Sequence, residues 1–95
     1  MNVLFVGAGS IADAYADGVA DTDLTLAGVC DLDAERAEPL ADAHDCHAFA
    51  DLDTALAAVD APLVVNLTSH AAHAEVTAAA LAADRHIYSE KPLAL

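Results

Sequence analysis

A glycine-rich turn near the start of the chain contains the residue types that bind phosphate groups. The segment Gly-Ala-Gly-Ser-Ile-Ala matches the pattern G-x-G-x-x-G/A, with alanine at the third small position. Gly7 would permit a tight turn, Gly9 would let the backbone approach a pyrophosphate, and Ala12 would keep the next helix close to a sheet. The helix start at Ser10 and Ile11 would offer backbone N–H groups and positive dipole potential to the phosphates. The pattern therefore predicts a dinucleotide-binding turn.

An acidic residue follows at the spacing that this pattern requires. Asp31 lies 19 residues after Ala12, at the end of a second apolar run. A carboxylate there accepts hydrogen bonds from the adenosine ribose hydroxyls and repels a 2′-phosphate, which favours NAD over NADP. Arg36 could approach the adenine or a 2′-phosphate, or it could be a solvated helix residue. A turn that only joins strand to helix, and an S-adenosylmethionine methyltransferase with a similar turn and acid, remain alternatives.

Five apolar runs have the composition of strands that would position this turn. They are Val3–Val6, Leu24–Cys30, Cys46–Phe49, Leu63–Leu67 and His86–Ser89. Three of these runs, Val3–Val6, Leu24–Cys30 and Leu63–Leu67, have the length and the β-branched residues of buried strands. None of the three alternates cleanly between apolar and polar residues. Such runs are typical of a parallel sheet that is covered on both faces.

Segments with helical spacing separate the strands. Apolar residues recur three or four positions apart in two of them: Ile11, Tyr15 and Val19, then Ala34, Ala37 and Ala41. Pro39 conflicts with the second helix, which either starts late or is kinked there. Asp51 is expected to cap a short helix through Leu56, and a longer helix from about Ala71 to Ala83 should bury Val76. The alternation predicts a doubly wound α/β fold with a parallel sheet.

The charge of the chain excludes two classes of partner. Sixteen acidic and three basic side chains give a formal net charge of −13. A chain of this charge would repel nucleic-acid phosphates and anionic lipids, so we expect neither a nucleic acid nor a membrane as a partner. The aspartate-rich composition resembles that of proteins from salt-accumulating halophiles, although an ordinary acidic surface explains it equally well. Without a signal peptide or an apolar run of ~20 residues, we expect a cytoplasmic protein.

The cysteine and histidine residues suggest no metal site or nucleophile. His44-Asp45-Cys46-His47 groups potential ligands, but the spacing matches no standard zinc pattern, so a surface loop explains it better. Cys30 is interpreted as a small buried strand residue. We therefore predict no bound metal.

Four segments together resemble the glucose–fructose oxidoreductase/inositol dehydrogenase/MocA (Gfo/Idh/MocA) family, over essentially all 95 residues. They are GAGSIA at 7–12, CDLDAERA at 30–37, NLTSHAAH at 66–73 and SEKPLAL at 89–95. The resemblance implies a Rossmann domain in which Lys91 lies near the nicotinamide ribose and the substrate, where its ammonium group can polarise the reacting oxygen. It also implies that Glu90 lies beside the cofactor and that Pro92 fixes the turn.

The same resemblance extends to the end of the fourth predicted strand. Thr68 and His73 match the family's Thr-Pro-Asn-x-x-His turn, whereas Ser69 replaces the proline and His70 the asparagine. The resemblance places Thr68 at the cofactor, and Asn66 would line the same crevice. His73 would either contact the cofactor or only begin a helix.

Taken together, residues 1–95 are interpreted as an NAD-binding domain that is incomplete at its C-terminus and lacks a substrate domain. The resemblance implies an oxidoreductase that acts on a sugar, polyol or related hydroxy compound, and we expect no turnover from this chain alone. The alternative is a non-catalytic nucleotide-binding module or a gene remnant. The missing elements would expose an apolar sheet face and edge, so self-association or another covering partner is expected.

Overall fold

The computed structural model describes residues 1–7, 10–20, 22–68 and 70–89, and strands and helices alternate along them in the predicted order. The strands are β1 (Asn2–Val6), β2 (Thr25–Cys30), β3 (His47–Phe49), β4 (Leu63–Asn66) and β5 (His86–Ser89). The helices are α1 (Ser10–Ala20), α2 (Ala34–Ala43), α3 (Leu52–Ala58) and α4 (His70–Ala82). The bounds of β5 are as predicted, and each other strand differs from its prediction at one end only.

The five strands form one parallel sheet in the order β3-β2-β1-β4-β5. The chain runs outward from β1 through β2 to β3, then returns to place β4 on the other side of β1. The prediction of a doubly wound parallel sheet is therefore confirmed. The direction of winding reverses between β1 and β4, and open α/β sheets bind ligands at the carboxyl ends of the strands beside such a reversal.

Helices cover both faces of the sheet, which explains why the strands lack a polar side. Along β1, Val3 and Phe5 pack with α1 and α2, whereas Leu4 and Val6 pack with α3 and α4. Successive strand side chains point to opposite faces, so every position of β1 after its first is buried. Complete burial of Phe5 alone contributes roughly 1.5–3 kcal/mol to stability.

Small residues form the face with which α1 contacts the sheet. Ala12 and Ala16 are fully buried, and Tyr15 and Val19 flank them in partly buried positions. Tyr15 and Val19 of the predicted stripe therefore pack against the core beside Ala12 and Ala16, and the side chain of Ile11 lies outside the described residues. Alanine carries little bulk, so this helix can approach the glycine turn and β1 closely.

Aspartate side chains cap two helices. The Asp33 carboxylate accepts the backbone N–H of Glu35 at 3.1 Å, and α2 begins at Ala34 and continues through Pro39. A late start of this helix, one of the two alternatives for Pro39, is therefore wrong, because the cap fixes its first turn upstream of the proline. The predicted cap of α3 is confirmed: the Asp51 carboxylate accepts the backbone N–H of Thr54 at 3.1 Å.

Arg85 joins β5 to the connection between α3 and β4. Its guanidinium Nη1 donates to the carbonyls of Val59 at 3.0 Å and Ala61 at 2.7 Å, and Nη2 donates to the carbonyl of Leu56 at 2.6 Å. One partly buried cation thus satisfies three backbone acceptors that come from one helix end and the loop that follows it. The position of this loop in turn sets the start of β4.

Candidate functional site

The first turn after β1 requires glycine at position 7. Gly7 has a φ of +101°, and its N–H donates to the carbonyl of Cys30 at 2.7 Å. A Cβ atom at this position would lie 2.8 Å from both the carbonyl carbon and the carbonyl oxygen of Leu67, and 3.1 Å from the nitrogen of Thr68. The loops after β1, β2 and β4 therefore meet at Gly7, which leaves no room for a side chain.

Asp31 lies directly after β2, where the sequence pattern predicts it. Its N–H donates to the carbonyl of Phe49 at 2.9 Å, which ties it to the end of β3. Its carboxylate Oδ1 accepts the N–H of Asp33 at 2.9 Å, a short turn that orients the side chain. The residue is partly exposed and lines a cleft at the carboxyl ends of the strands.

The loop after β4 is organised by Asn66, whose side chain is completely buried. The Asn66 Oδ1 accepts the backbone N–H of Thr68 at 3.2 Å and the hydroxyl of Thr68 at 2.6 Å. The Asn66 Nδ2 donates to the hydroxyl of Thr77 in α4 at 3.4 Å. Asn66 thus binds the loop to the helix, and Thr68 is the member of this group that borders the cleft.

The cleft has a volume of about 570 Å³ and brings together residues from all of these loops. Gly7, Asp31, Leu67 and Thr68 line it at the sheet edge. The remaining lining residues are Val6, Cys30, Leu32, Asp33, Arg36, Asp51, Leu52, Glu75, Val76 and Ala79. A second recess of similar volume is lined by Asn2, Ala27, His47, Ala48, Phe49, Ala58, Val59 and Asp60. The first cleft is the better candidate, because it lies at the carboxyl ends of the strands.

The charged side chains around the cleft are mainly acidic. Among the described residues, Asp31, Asp33, Asp51 and Glu75 face a single cation, Arg36. Hydrogen bonds from the Thr54 hydroxyl and backbone N–H lower the pKa of Asp51, so this carboxylate is ionised at neutral pH.

Cys30 ends β2 beside this acidic group. Burial, together with the negative charges of Asp51 and Asp31, raises the pKa of the Cys30 thiol from its ordinary value of 9.0 to about 11. The thiol is therefore un-ionised at neutral pH, which agrees with its interpretation as a buried strand residue and not a nucleophile.

Several predicted site residues lie where their side chains are not described. Gly9, Glu90 and Lys91 fall outside the described residues, as does Pro92. Ser10 and Ile11 form the first turn of α1, and His73 lies in the first turn of α4, but only their backbone is described. The structure thus brings together Gly7, Asp31 and Thr68, and it places Ala12 in the core behind the turn.

Within the described ranges, no three histidine, cysteine, aspartate or glutamate side chains are grouped so that they could hold a metal ion. No helix in the same ranges is long and apolar enough to span a bilayer.

Comparison with known proteins gives a match over the whole chain. A family model described as "Oxidoreductase family, NAD-binding Rossmann fold" (GFO_IDH_MocA) matches residues 1–95. Inositol 2-dehydrogenase of Salmonella typhimurium is 33% identical over 94 residues, which are 95% of this chain and 28% of that protein. The chain therefore spans about a quarter of the length of this relative.

Solved structures show the same arrangement of elements. The WlbA dehydrogenase from Bordetella pertussis, in complex with NADH and UDP-GlcNAcA, has a TM-score of 0.91 at 27% identity, over 99% of this chain and 30% of that one. The myo-inositol dehydrogenase from Lactobacillus casei, in complex with NAD(H) and myo-inositol, has a TM-score of 0.88 at 28% identity, over 99% of this chain and 29% of that one.

Proposed function

Because this chain belongs to the Gfo/Idh/MocA oxidoreductase family, whose model covers all of its residues, we propose that its cleft binds NAD in the N-terminal part of a dehydrogenase. The observation that carries the proposal is the convergence of Gly7, Asp31 and Thr68 on one cleft, beside the reversal of strand order. The family resemblance drawn from the motifs is confirmed, and it decides against the methyltransferase alternative.

The described residues fit the adenosine half of NAD. Gly7 lines the cleft and makes the tight turn out of β1, and the pattern assigns the close approach of the pyrophosphate to the residues that follow it. The Asp31 carboxylate borders the same cleft and is an acceptor for ribose hydroxyls. A 2′-phosphate would meet the negative charges of Asp31 and Asp33, which favours NAD over NADP. The bound nicotinamide would supply the hydride acceptor or donor.

The family resemblance implies roles for residues whose side chains are not described. Lys91 is proposed to orient and polarise the reacting oxygen of the substrate, and Glu90 to lie beside the cofactor. Gly9, with the backbone of Ser10 and Ile11, is proposed to contact the pyrophosphate, and His73 is proposed to contact the cofactor. The substrate class is proposed to be a sugar, polyol or related hydroxy compound, since the relatives named above bind or act on such compounds.

We further propose that residues 1–95 supply the nucleotide-binding part of a longer protein and that the substrate pocket comes from a further domain. We therefore expect NADH binding without turnover when the 95-residue chain is purified alone. Dehydrogenase activity in pure material would contradict this expectation.

The test of the proposed function is a titration of the chain with NADH and NADPH, followed by nicotinamide fluorescence or calorimetry. We expect NADH to bind more tightly, and Asp31→Ala to weaken NADH binding by roughly tenfold through loss of charged hydrogen bonds. The matched control is Asp42→Ala, which removes an exposed acid of α2 that does not border the cleft. Equal affinity for both nucleotides, or an Asp31→Ala variant that binds NADH like the wild type, would refute the role of Asp31.

A further inference from the structure

Asn66 differs from the other described polar residues because its side chain is completely buried. It ends β4, where it pairs with Val6 of β1 and with Ser89 of β5. A buried amide must find hydrogen-bond partners within the protein, and two of those of Asn66 lie in the loop that borders the cleft. Asn66 itself does not line the cleft, whereas its hydrogen-bond partner Thr68 does.

The partners of Asn66 fix the orientation of its amide. The backbone N–H of Thr68 is only a donor, so the amide atom that faces it at 3.2 Å must be the oxygen. The same oxygen lies 2.6 Å from the hydroxyl oxygen of Thr68. Since an amide oxygen only accepts hydrogen bonds, the Thr68 hydroxyl must donate its proton to Asn66. The lone pairs of that hydroxyl are then what Thr68 can offer to the cleft.

Thr68 lies next to the glycine turn. Its nitrogen is 3.1 Å from the position that a Cβ of Gly7 would occupy, and the N–H of Leu67 donates to the carbonyl of Val6 at 2.8 Å. The strand order places Thr68 and Asp31 on opposite sides of β1, with Gly7 between them. A dinucleotide with its adenosine ribose at Asp31 and its pyrophosphate at Gly7 therefore extends its second ribose toward Thr68.

We propose that Asn66 is a positioning residue that holds the Thr68 hydroxyl as a hydrogen-bond acceptor for a hydroxyl of the nicotinamide ribose. The inference rests on the proposed function and adds the chemistry that the β4 loop selects. A phosphate oxygen has no proton to donate to this acceptor, so the pyrophosphate is not its partner. The ribose is attached directly to the pyrophosphate, which makes its hydroxyls the nearest donors; the carboxamide lies further along the molecule.

Three ligands separate the parts of the dinucleotide in binding measurements. NADH carries both halves, ADP lacks the nicotinamide riboside, and the reduced 3-acetylpyridine analogue keeps the second ribose but has no carboxamide N–H. We expect Thr68→Val to weaken NADH binding roughly three- to tenfold, the range for one lost hydrogen bond, and to leave ADP binding unchanged. The same loss should occur with the acetylpyridine analogue. Thr68→Ser, which keeps the hydroxyl, should bind NADH like the wild type.

The role of Asn66 is tested by the ratio of NADH affinity to ADP affinity. Asn66→Asp is nearly isosteric and keeps both acceptor contacts, so its ratio should stay close to that of the wild type. Asn66→Leu should lower the ratio as Thr68→Val does, and combining the two changes should lower it no further. If Asn66→Leu does not fold, Asn66→Ser replaces it, because its shorter side chain cannot reach the Thr68 hydroxyl. Thr25→Val, at the amino end of β2 and therefore at the opposite ends of the strands from the cleft, controls for loss of a hydroxyl.

The possible results distinguish the proposed NAD-binding function from the proposed role of Asn66 and Thr68. If the wild type binds neither NADH nor ADP, the proposed function fails and the inference fails with it. If the wild type binds both, and Thr68→Val or Asn66→Leu weakens both equally or neither, the inference alone is refuted. A loss with Thr68→Val that disappears for the acetylpyridine analogue would move the donor to the carboxamide and refute the ribose assignment.

Discussion

Three glycine-to-alanine substitutions should differ in sign as well as size. In Gly7→Ala the new Cβ would lie 2.8 Å from two backbone atoms of Leu67, at a φ of +101°. A left-handed conformation costs a residue with a side chain about 1–2 kcal/mol, and a contact with backbone atoms cannot be relieved by a rotamer change. We therefore expect a total loss of about 3 kcal/mol or more, a large part of the stability of a small domain.

Gly18 and Gly28 are the matched controls. A Cβ at Gly18 in α1 would meet nothing within 4 Å, so Gly18→Ala should stabilise the chain by up to about 1 kcal/mol through helix propensity. A Cβ at Gly28 in β2 would meet a Val59 methyl group at 3.0 Å and the side chains of Leu4 and Phe49 at 3.2 Å. Those atoms belong to side chains and can shift, so Gly28→Ala should cost about 1–2 kcal/mol, between the two extremes.

Urea unfolding followed by circular dichroism at one temperature measures all three free energies. From the most to the least stable, the expected order is Gly18→Ala, wild type, Gly28→Ala and Gly7→Ala. ADP binding should be lost in Gly7→Ala and kept in Gly18→Ala, because only the former displaces the loops around the cleft. A Gly7→Ala protein with wild-type stability would refute the steric reasoning, and one that is unstable but binds ADP normally would separate the turn from the site.

Three further predictions concern charged and buried groups. Arg85→Met should lower the free energy of unfolding by about 2–3 kcal/mol, because three carbonyls lose their hydrogen-bond donor. The control Arg36→Met, at an exposed position, should change it by less than ~0.5 kcal/mol. Equal effects of the two substitutions in urea unfolding would contradict the bridging role of Arg85. NADH affinity should rise a few-fold between roughly 0.1 and 1 M salt, since screening weakens the repulsion between the acidic cleft and the pyrophosphate. Calorimetry that shows weaker NADH binding at the higher salt concentration would contradict this repulsion. The free energy of unfolding should fall as pH rises from about 9 to about 11, because the thiol of Cys30 ionises more readily in the unfolded chain than in the folded one. Cys30→Ala should remove much of this fall. An unchanged dependence of stability on pH in this variant would refute the raised pKa of Cys30.

The features that the sequence predicted well are those fixed by local chemistry. The glycine with positive φ after β1, the acid directly after β2 and the Asp51 cap each lie at the end of a strand or helix, where the residue type and the local sequence identify them. The stripe on α1 was predicted only in part, because periodicity gives weight to large residues such as Tyr15 and Val19, whereas Ala12 and Ala16 are the fully buried residues of this helix.

The features that the sequence did not predict depend on long-range contacts. Arg85 meets carbonyls 24 to 29 residues earlier in the chain, and no spacing rule connects them. Asn66 was expected to line the crevice, but its side chain is buried between the β4 loop and α4, where it bonds to Thr68 and Thr77. Which face of a strand end is buried depends on the helix that packs there, which is tertiary information.

The acidic cleft is compatible with an anionic ligand because its aspartates are already engaged with backbone donors. Asp31 accepts the N–H of Asp33, Asp33 that of Glu35, and Asp51 that of Thr54. The last two acids cap α2 and α3, so their negative charge lies against the positive ends of these helices and is partly compensated. The helix start that follows the glycine turn is that of α1, at Ser10. A chain with a net charge of −13 would then bind a pyrophosphate through backbone N–H groups, whose donors do not depend on the number of basic side chains. On this reasoning Asp31 recognises hydroxyl groups, which the Asp31→Ala variant tests, while α1 provides the attraction for phosphate. The salt experiment measures the repulsion that remains between the acidic cleft and the pyrophosphate.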